Sequence, residues 1–253
     1  MAPNQLLIGK SAFIVRAQSL PNGYNQRPGM TLLLADGEPL ELEIDGLPAV
    51  TSEAWLLAPE IRRRFLRPQP HTSITVEPSH PSYLRMLRWA RSSPDAALPV
   101  DVPAGSRFRL ASATTQQTFD DALNELFALH EQPEITPSPR LEYLLSLVEA
   151  SGEDSTAEQI WGAFRSRYSS TQAHCSHWLQ ESLGLPLRKL LLWRKLRRAL
   201  EGLNDPNGAT AVAHEAGFAD SAHLSRICLR TFGLRPSEAN NNKILQVSWL
   251  QDC

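Results

Sequence analysis

The chain has 253 residues, 42% of them hydrophobic and 21% charged, with a formal net charge of −2. This length suits one large domain or two modest ones, and no apolar run approaches the ~20 residues that a membrane-spanning helix needs. Cys175, Cys228 and Cys253 show no C-x-x-C spacing, which argues against a disulfide framework or a structural zinc site and fits a reducing, cytoplasmic setting.

The opening MAPNQLLIGK has no basic segment followed by a long apolar stretch, so no secretory signal is expected. Ala12 to Val15, Thr31 to Leu34 and Leu40 to Ile44 are short apolar or alternating runs and are predicted as strands. Ala54 to Leu57 and Ser73 to Val76 read the same way. Pro21-Asn22-Gly23, Pro28-Gly29, Asp36-Gly37 and Asp45-Gly46 punctuate them. The last two suit tight hairpins, because glycine accepts positive φ without steric cost. Many short strands with frequent turns predict a sandwich or barrel.

The texture changes near Arg107. TFDDALNELFALH, residues 118–130, places Phe119, Leu123, Leu126 and Phe127 on one helical face. Residues 131–140 hold three prolines and read as a linker, and from Leu141 the pattern is helical nearly to the end. An α+β chain divided near residue 135 is predicted. Charge follows the division: residues 1–136 carry twelve Lys/Arg against fifteen Asp/Glu, and residues 160–243 carry twelve against six. A basic rear half is one mark of a nucleic-acid-binding domain.

ATAVAHEAG, residues 209–217, gives a short helix a narrow packing face through Ala209, Val212, Ala213 and Ala216. Gly217 stands where a left-handed C-terminal cap is wanted, and Phe218 can anchor the turn in the core. Asp220 is placed to cap the next helix. Along that helix Leu224, Cys228 and Phe232 recur every four residues and are predicted to face inward, with Gly233 ending it. Ser221, Ala222, His223, Ser225, Arg226 and Arg230 are left as candidate DNA contacts. A helix of this kind fits a major groove.

Ala213, Gly217-Phe218, Asp220, His223-Leu224, Arg226, Phe232-Gly233 and Pro236-Ser237-Glu238, in this order and spacing, resemble the arabinose-regulator (AraC/XylS) transcription factors. The resemblance covers roughly residues 140–240. It implies two helix-turn-helix units joined by one long helix. LGLPLRKLLLWRKLRRALEGL, residues 183–203, resembles that joining helix. Leu187, Leu190, Leu191, Leu196, Ala199, Leu200 and Leu203 would form its buried side, and Arg188, Lys189, Arg194, Arg197 and Arg198 its basic one. Leu183-Gly184 and Phe232-Gly233 lie 49 residues apart, which fits a duplicated unit. In the first unit Ser169 or Ser170 is expected to cap. The count from Ala163 and Ser169 at the opening of the turn disagrees by about two residues with the count back from Gly184. The latter puts Leu179 where a phenylalanine and Cys175 where a leucine is usual, leaving Gln172, His174, Ser176 and His177 as candidate contacts of this unit.

The resemblance also implies an N-terminal cupin-like barrel or sandwich, ahead of the all-α domain, that binds a small-molecule effector. It implies a homodimer, promoter DNA and RNA polymerase as partners, and no cofactor. The expected division is 1–105 sensor, 106–135 helical dimerisation or linker region, and 136–253 DNA-binding domain. The apolar stripe of residues 118–130 would serve dimer contact or cap the barrel. Arg62-Arg63-Arg64 could attract an anionic ligand, though a solvated turn or strand edge is the plainer reading. His71 and His80 form no H-x-H pair, and no metal or effector-binding residue is assigned.

Other classes are weaker. Asp220, Ser221 and His223 have the composition of a hydrolytic triad, but neighbours at one helix start cannot line up as nucleophile, base and orienter. His214-Glu215 lacks the second histidine of a zinc-binding H-E-x-x-H helix. A cupin-type enzyme with a regulatory tail, or an interaction module that has lost full DNA binding, remain the alternatives.

Overall fold

The computed structural model describes residues 4–18, 23–44, 48–95, 97–202, 208–233, 235–236 and 245–251. The turns at Pro21-Asn22 and Asp45-Gly46, with Leu203, Ser237-Glu238 and Cys253, lie outside the described residues.

The front half forms β1 (Asn4–Ile8), β2 (Ala12–Ala17), β3 (Met30–Ala35), β4 (Leu40–Ile44), β5 (Val50–Ser52), β6 (Ala54–Leu57), β7 (Arg63–Phe65), β8 (His71–Val76) and β9 (Ala97–Pro99). With β10 (Leu245–Trp249) they make a seven-stranded sheet of order β10-β1-β2-β8-β3-β6-β9 and a three-stranded sheet β5-β4-β7. The predicted hairpin at Asp36-Gly37 is not one. Gly37 does take a positive φ of 108°, but β3 pairs with β6 and β8 whereas β4 pairs with β5 and β7. The turn carries the chain from one sheet to the other.

Apolar runs such as Leu32-Leu33-Leu34 are buried on both faces of the large sheet, so they show little alternation. Leu32 and Leu34 join the core beneath the helices, while Leu33 packs with Leu40, Leu42 and Ile44 of the small sheet. On β2, Ile14 faces that helical core, and Phe13 and Val15 face the C-terminal helices.

Two helices, α1 (Tyr83–Ala90) and α2 (Ala104–Ser112), lie where sequence reading found none. Tyr83, Met86, Leu87 and Ala90 of α1 are buried at helical spacing, a signal masked by the strand texture around it. In α3 (Gln116–Leu129), Phe119, Leu123, Leu126 and Phe127 are buried in the chain's own core. The stripe caps the barrel and is not free for a second copy.

The rear half holds α4 (Pro139–Glu149), α5 (Ala157–Arg167), α6 (Gln172–Leu183), α7 (Leu187–Glu201), α8 (Gly208–Glu215) and α9 (Ser221–Phe232). One buried cluster runs without a break from the large sheet through α1 and α3 to Phe164, Cys175 and Leu179. A second joins Leu6, Ile8 and Phe13 to Trp193 of α7 and to Leu224 and Cys228 of α9. The chain then returns to the front sheet, where β10 pairs in parallel with β1 from Leu245 opposite Asn4 to Trp249 opposite Ile8.

The joining helix is α7, shorter at each end than predicted. Leu187, Leu190, Leu191, Leu196, Ala199 and Leu200 are buried as expected. Trp193 is buried too, its ring 5.3 Å edge-on from Phe13. Arg197 is not on a solvated basic side. It is buried, pairs with Glu77, and donates to the carbonyl of Gly9. Burying a charge is costly unless it is paired and hydrogen-bonded, and these partners supply that.

Candidate nucleic-acid interface

Two helix-turn-helix units are built on a common plan. In the second, the Asp220 carboxylate accepts from the backbone N–H of His223 and caps α9. Gly233 closes it in the left-handed conformation at φ 75°, its N–H donating to Leu229. In the first, the Thr171 hydroxyl accepts from the N–H of His174, and Gly184 closes α6 at φ 73°. Thr171, not Ser169 or Ser170, is therefore the cap. Both helices have 12 residues. Thr171 to Asp220, Cys175 to Leu224, Leu179 to Cys228, and Gly184 to Gly233 all keep one 49-residue offset. The expected two-residue mismatch is the distance from Ser169 to Thr171: the count back from Gly184 holds, with Cys175, Leu179 and Leu183 fully buried.

The preceding turns differ. Gly217 has φ 80°, its carbonyl accepts from Lys195 Nζ of α7, and Phe218 is buried below it. The equivalent position, Tyr168, stays extended at φ −120°. Its ring lies 5.2 Å from Phe164 and 5.9 Å from Tyr143, so aromatic stacking fixes a turn that glycine conformation fixes in the other unit.

Every candidate contact residue stands outside the core. Gln172, His174, Ser176 and His177 are exposed on α6, and Ala222, Arg226 and Arg230 on α9; Ser221, His223 and Ser225 are partly covered. The His223 ring meets Phe218 edge-on at 5.5 Å, which holds it against the turn before α9. Along α9, Leu224, Ile227, Cys228 and Thr231 are buried, and Phe232 is only half-buried against that core. Burial pushes the Cys228 thiol up to about 12, as expected of core filler. Of the small-residue face on α8, Val212, Ala213 and Ala216 are buried, whereas Ala209 is exposed.

The front half holds charges that sequence reading placed differently or passed over. Of Arg62-Arg63-Arg64, the outer two lie over the Tyr24 ring on the surface, and Arg64 pairs with Glu43. Strand alternation turns Arg63 inward, where only 1% of it is exposed. Its Nη2 donates to the Thr31 hydroxyl at 3.3 Å. Arg27 is buried beside it and donates to Ser73 and Thr75, and Thr31 and Thr75 are paired across β3 and β8. Burial lowers the Arg27 guanidinium to about 10 and depresses Arg63 strongly. Among the described residues neither pairs with a carboxylate. Arg27 also lies 5.9 Å from the Phe232 ring, and the adjacent Gln26 N–H donates to the Arg230 carbonyl at 3.0 Å. The β-rich half thus touches the C-terminal end of α9. No feature of the sequence around Arg27 marked it.

His71 is buried against Phe65 and donates through Nδ1 to the Gln69 carbonyl. Burial first, then the two arginines, holds it down at about 4. His80 bonds Asp120 through Nε2 and accepts from the Ser82 N–H. Among the described residues no group of three His, Cys, Asp or Glu could hold a metal ion, and no helix is long and apolar enough to cross a membrane.

Residues 166–242 match the family described as a helix-turn-helix domain. Among solved structures, an apo single-residue variant of ToxT from Vibrio cholerae is similar at a TM-score of 0.61 and 14% identity, over 91% of this chain and 97% of that one. Wild-type ToxT from the same organism with an unsaturated fatty acid bound gives 0.57 and 12%, over 95% and 97%. A further Vibrio cholerae ToxT structure gives 0.60 and 13%, over 92% and 98%. No curated protein matches the chain in sequence. At such identities the likeness shows a shared fold: a β-rich front half and a helical rear half carrying helix-turn-helix units.

Proposed function

We infer that this helix-turn-helix protein of the AraC type is a sequence-specific, DNA-binding transcription regulator whose front half senses an effector. The observation that carries the reading is the repeat itself. Two helices of equal length, capped alike, stand at one fixed offset and turn short polar or basic side chains to solvent. Ser221, Ala222, His223, Ser225, Arg226 and Arg230 are assigned to one major-groove segment, and Gln172, His174, Ser176 and His177 to the next, about one helical turn away. Residues 1–105 act as sensor, 106–135 as connection and 136–253 as DNA-binding half, with β10 as that half's return to the sensor sheet. The reading is non-catalytic, cytoplasmic and dimeric, with RNA polymerase met at the promoter; these parts rest on the family resemblance.

The effector is read as an anion. Two buried guanidiniums without a carboxylate are costly unless a negative group joins them, and a similar protein has been solved with a fatty acid bound.

A mobility-shift titration tests the whole reading. Binding is expected to prefer promoter DNA over random duplex and to weaken steeply with salt. An unsaturated fatty acid is expected to alter it in the native chain and not in Arg27→Gln. Absence of sequence preference, or insensitivity to salt, overturns the regulator; identical fatty-acid responses in both chains overturn the anion site.

A further inference from the structure

The two recognition helices differ in charge. α9 carries Arg226 and Arg230 on its exposed side, whereas α6 contains no Lys or Arg and ends its exposed face on Gln180 and Glu181. Phosphate contacts supply most of the affinity of such a domain, so the first unit needs cations from elsewhere. Most of those on α7 are engaged. Lys189 pairs with Glu60, Arg194 with Glu149 and Arg197 with Glu77, and Arg198 donates to the carbonyls of Ser151 and Gly152.

Two arginines flank the first unit instead. Arg140, at the start of α4, lies 3.8 Å from Cys175 Sγ and 4.2 Å from the Trp178 ring, both on α6. Arg167, the last residue of α5, lies 4.5 Å from the Tyr143 ring. Both guanidiniums come within 6 Å of Tyr168, at 5.9 and 5.7 Å. Among the described residues neither pairs with a carboxylate, and Arg140 Nε is buried without a hydrogen-bond partner. Tyr168 stands where the second unit has Gly217, so this aromatic ladder belongs to the first unit alone.

We propose that Arg140 and Arg167, held over Tyr143, Tyr168 and Trp178, form a phosphodiester clamp that seats the first unit on duplex DNA and replaces the cations missing from α6. Ring contact fixes a guanidinium without consuming its N–H donors. Arg140 donates from Nη2 to Cys175 Sγ and keeps Nη1 for a phosphate oxygen, and the exposed Arg167 can meet phosphate in a two-pronged way. The clamp rests on the regulator reading and adds a binding surface to it.

The test is the salt dependence of duplex binding by Arg167→Gln, Arg167→Lys and Arg140→Gln, with thermal melting alongside. Each lost phosphate contact is expected to make the log-affinity against log-salt slope shallower by about 0.9. Affinity falls several-fold on cognate and random duplex alike, and Arg167→Lys keeps the native slope. Lower melting temperatures with native slopes in both Gln variants overturn the clamp and leave the arginines as staples. A native chain that binds no duplex overturns the regulator reading, and the clamp with it.

Discussion

Arg226 is exposed one turn before Arg230, whose own carbonyl is tied to Gln26. A long arginine at the open edge of a capped helix can reach guanine O6 and N7 or a phosphate, and the two cases separate by experiment. Arg226→Ala is expected to cost about 1–3 kcal/mol on the cognate site and little on random duplex, by mobility shift, if it reads a base. Equal losses on both sequences would assign it to phosphate. That Ser221, Ser225 and Arg226 lie outside the core was legible from sequence, because the Gly217-Phe218-x-Asp220 frame fixes which side of α9 is buried. Arg63 was legible only as part of a basic triplet. Which of three arginines turns inward depends on strand register, and register is set by the partner β4.

At the level of elements, the two units show one geometry reached by different chemistry. Gly217 and Gly233 both hold a left-handed backbone, at φ 80° and 75°. A Cβ at Gly217 would lie 2.6 Å from the Glu153 carbonyl oxygen, whereas one at Gly233 would meet nothing within 4 Å. Left-handed strain costs an alanine roughly 1–2 kcal/mol at either site, and the collision adds to it at Gly217 alone. In thermal melts Gly217→Ala is expected to lose at least twice the melting temperature lost by Gly233→Ala. Equal losses would mean that the turn yields freely. The first unit has no counterpart of Gly217 because Tyr168 is fixed by its ring contacts. That is why the sequence marks the turn of the second unit plainly and that of the first only faintly.

Across the whole molecule the halves are joined by buried polar contacts as well as by packing. Arg197 of α7 holds Glu77, just past β8, and the Gly9 carbonyl; the Tyr83 hydroxyl donates to the Leu183 carbonyl at 2.6 Å. Burial pushes the Glu77 carboxyl up to about 7 against the pull of Arg197, from an ordinary value of 4.5. The folded chain therefore binds more protons than the unfolded chain between those values. The stability that this group contributes is full below pH 4.5 and lost as pH rises through 7. Glu77→Gln is expected to flatten that part of the melting-temperature profile. A profile equal to the native one would show that Glu77 does not titrate there. Arg197→Met removes the partner of Glu77, leaving that buried carboxyl to stay protonated at neutral pH, and is expected to lower the melting temperature relative to the native chain.

The sequence by itself determined the α+β order, the chemistry of the second unit, the leucine side of α7 and the 49-residue repeat, because these depend on local periodicity, caps and glycines. Five strands were placed within two residues at each end for the same reason. Tertiary structure alone decided the rest. It took Asp36-Gly37 from one sheet to another, returned β10 to pair with β1, buried the α3 stripe within the chain, and turned Arg197 inward to meet a residue 120 positions away. Each of these outcomes depends on which distant surface covers a segment, and local sequence carries no record of a partner that only folding brings near.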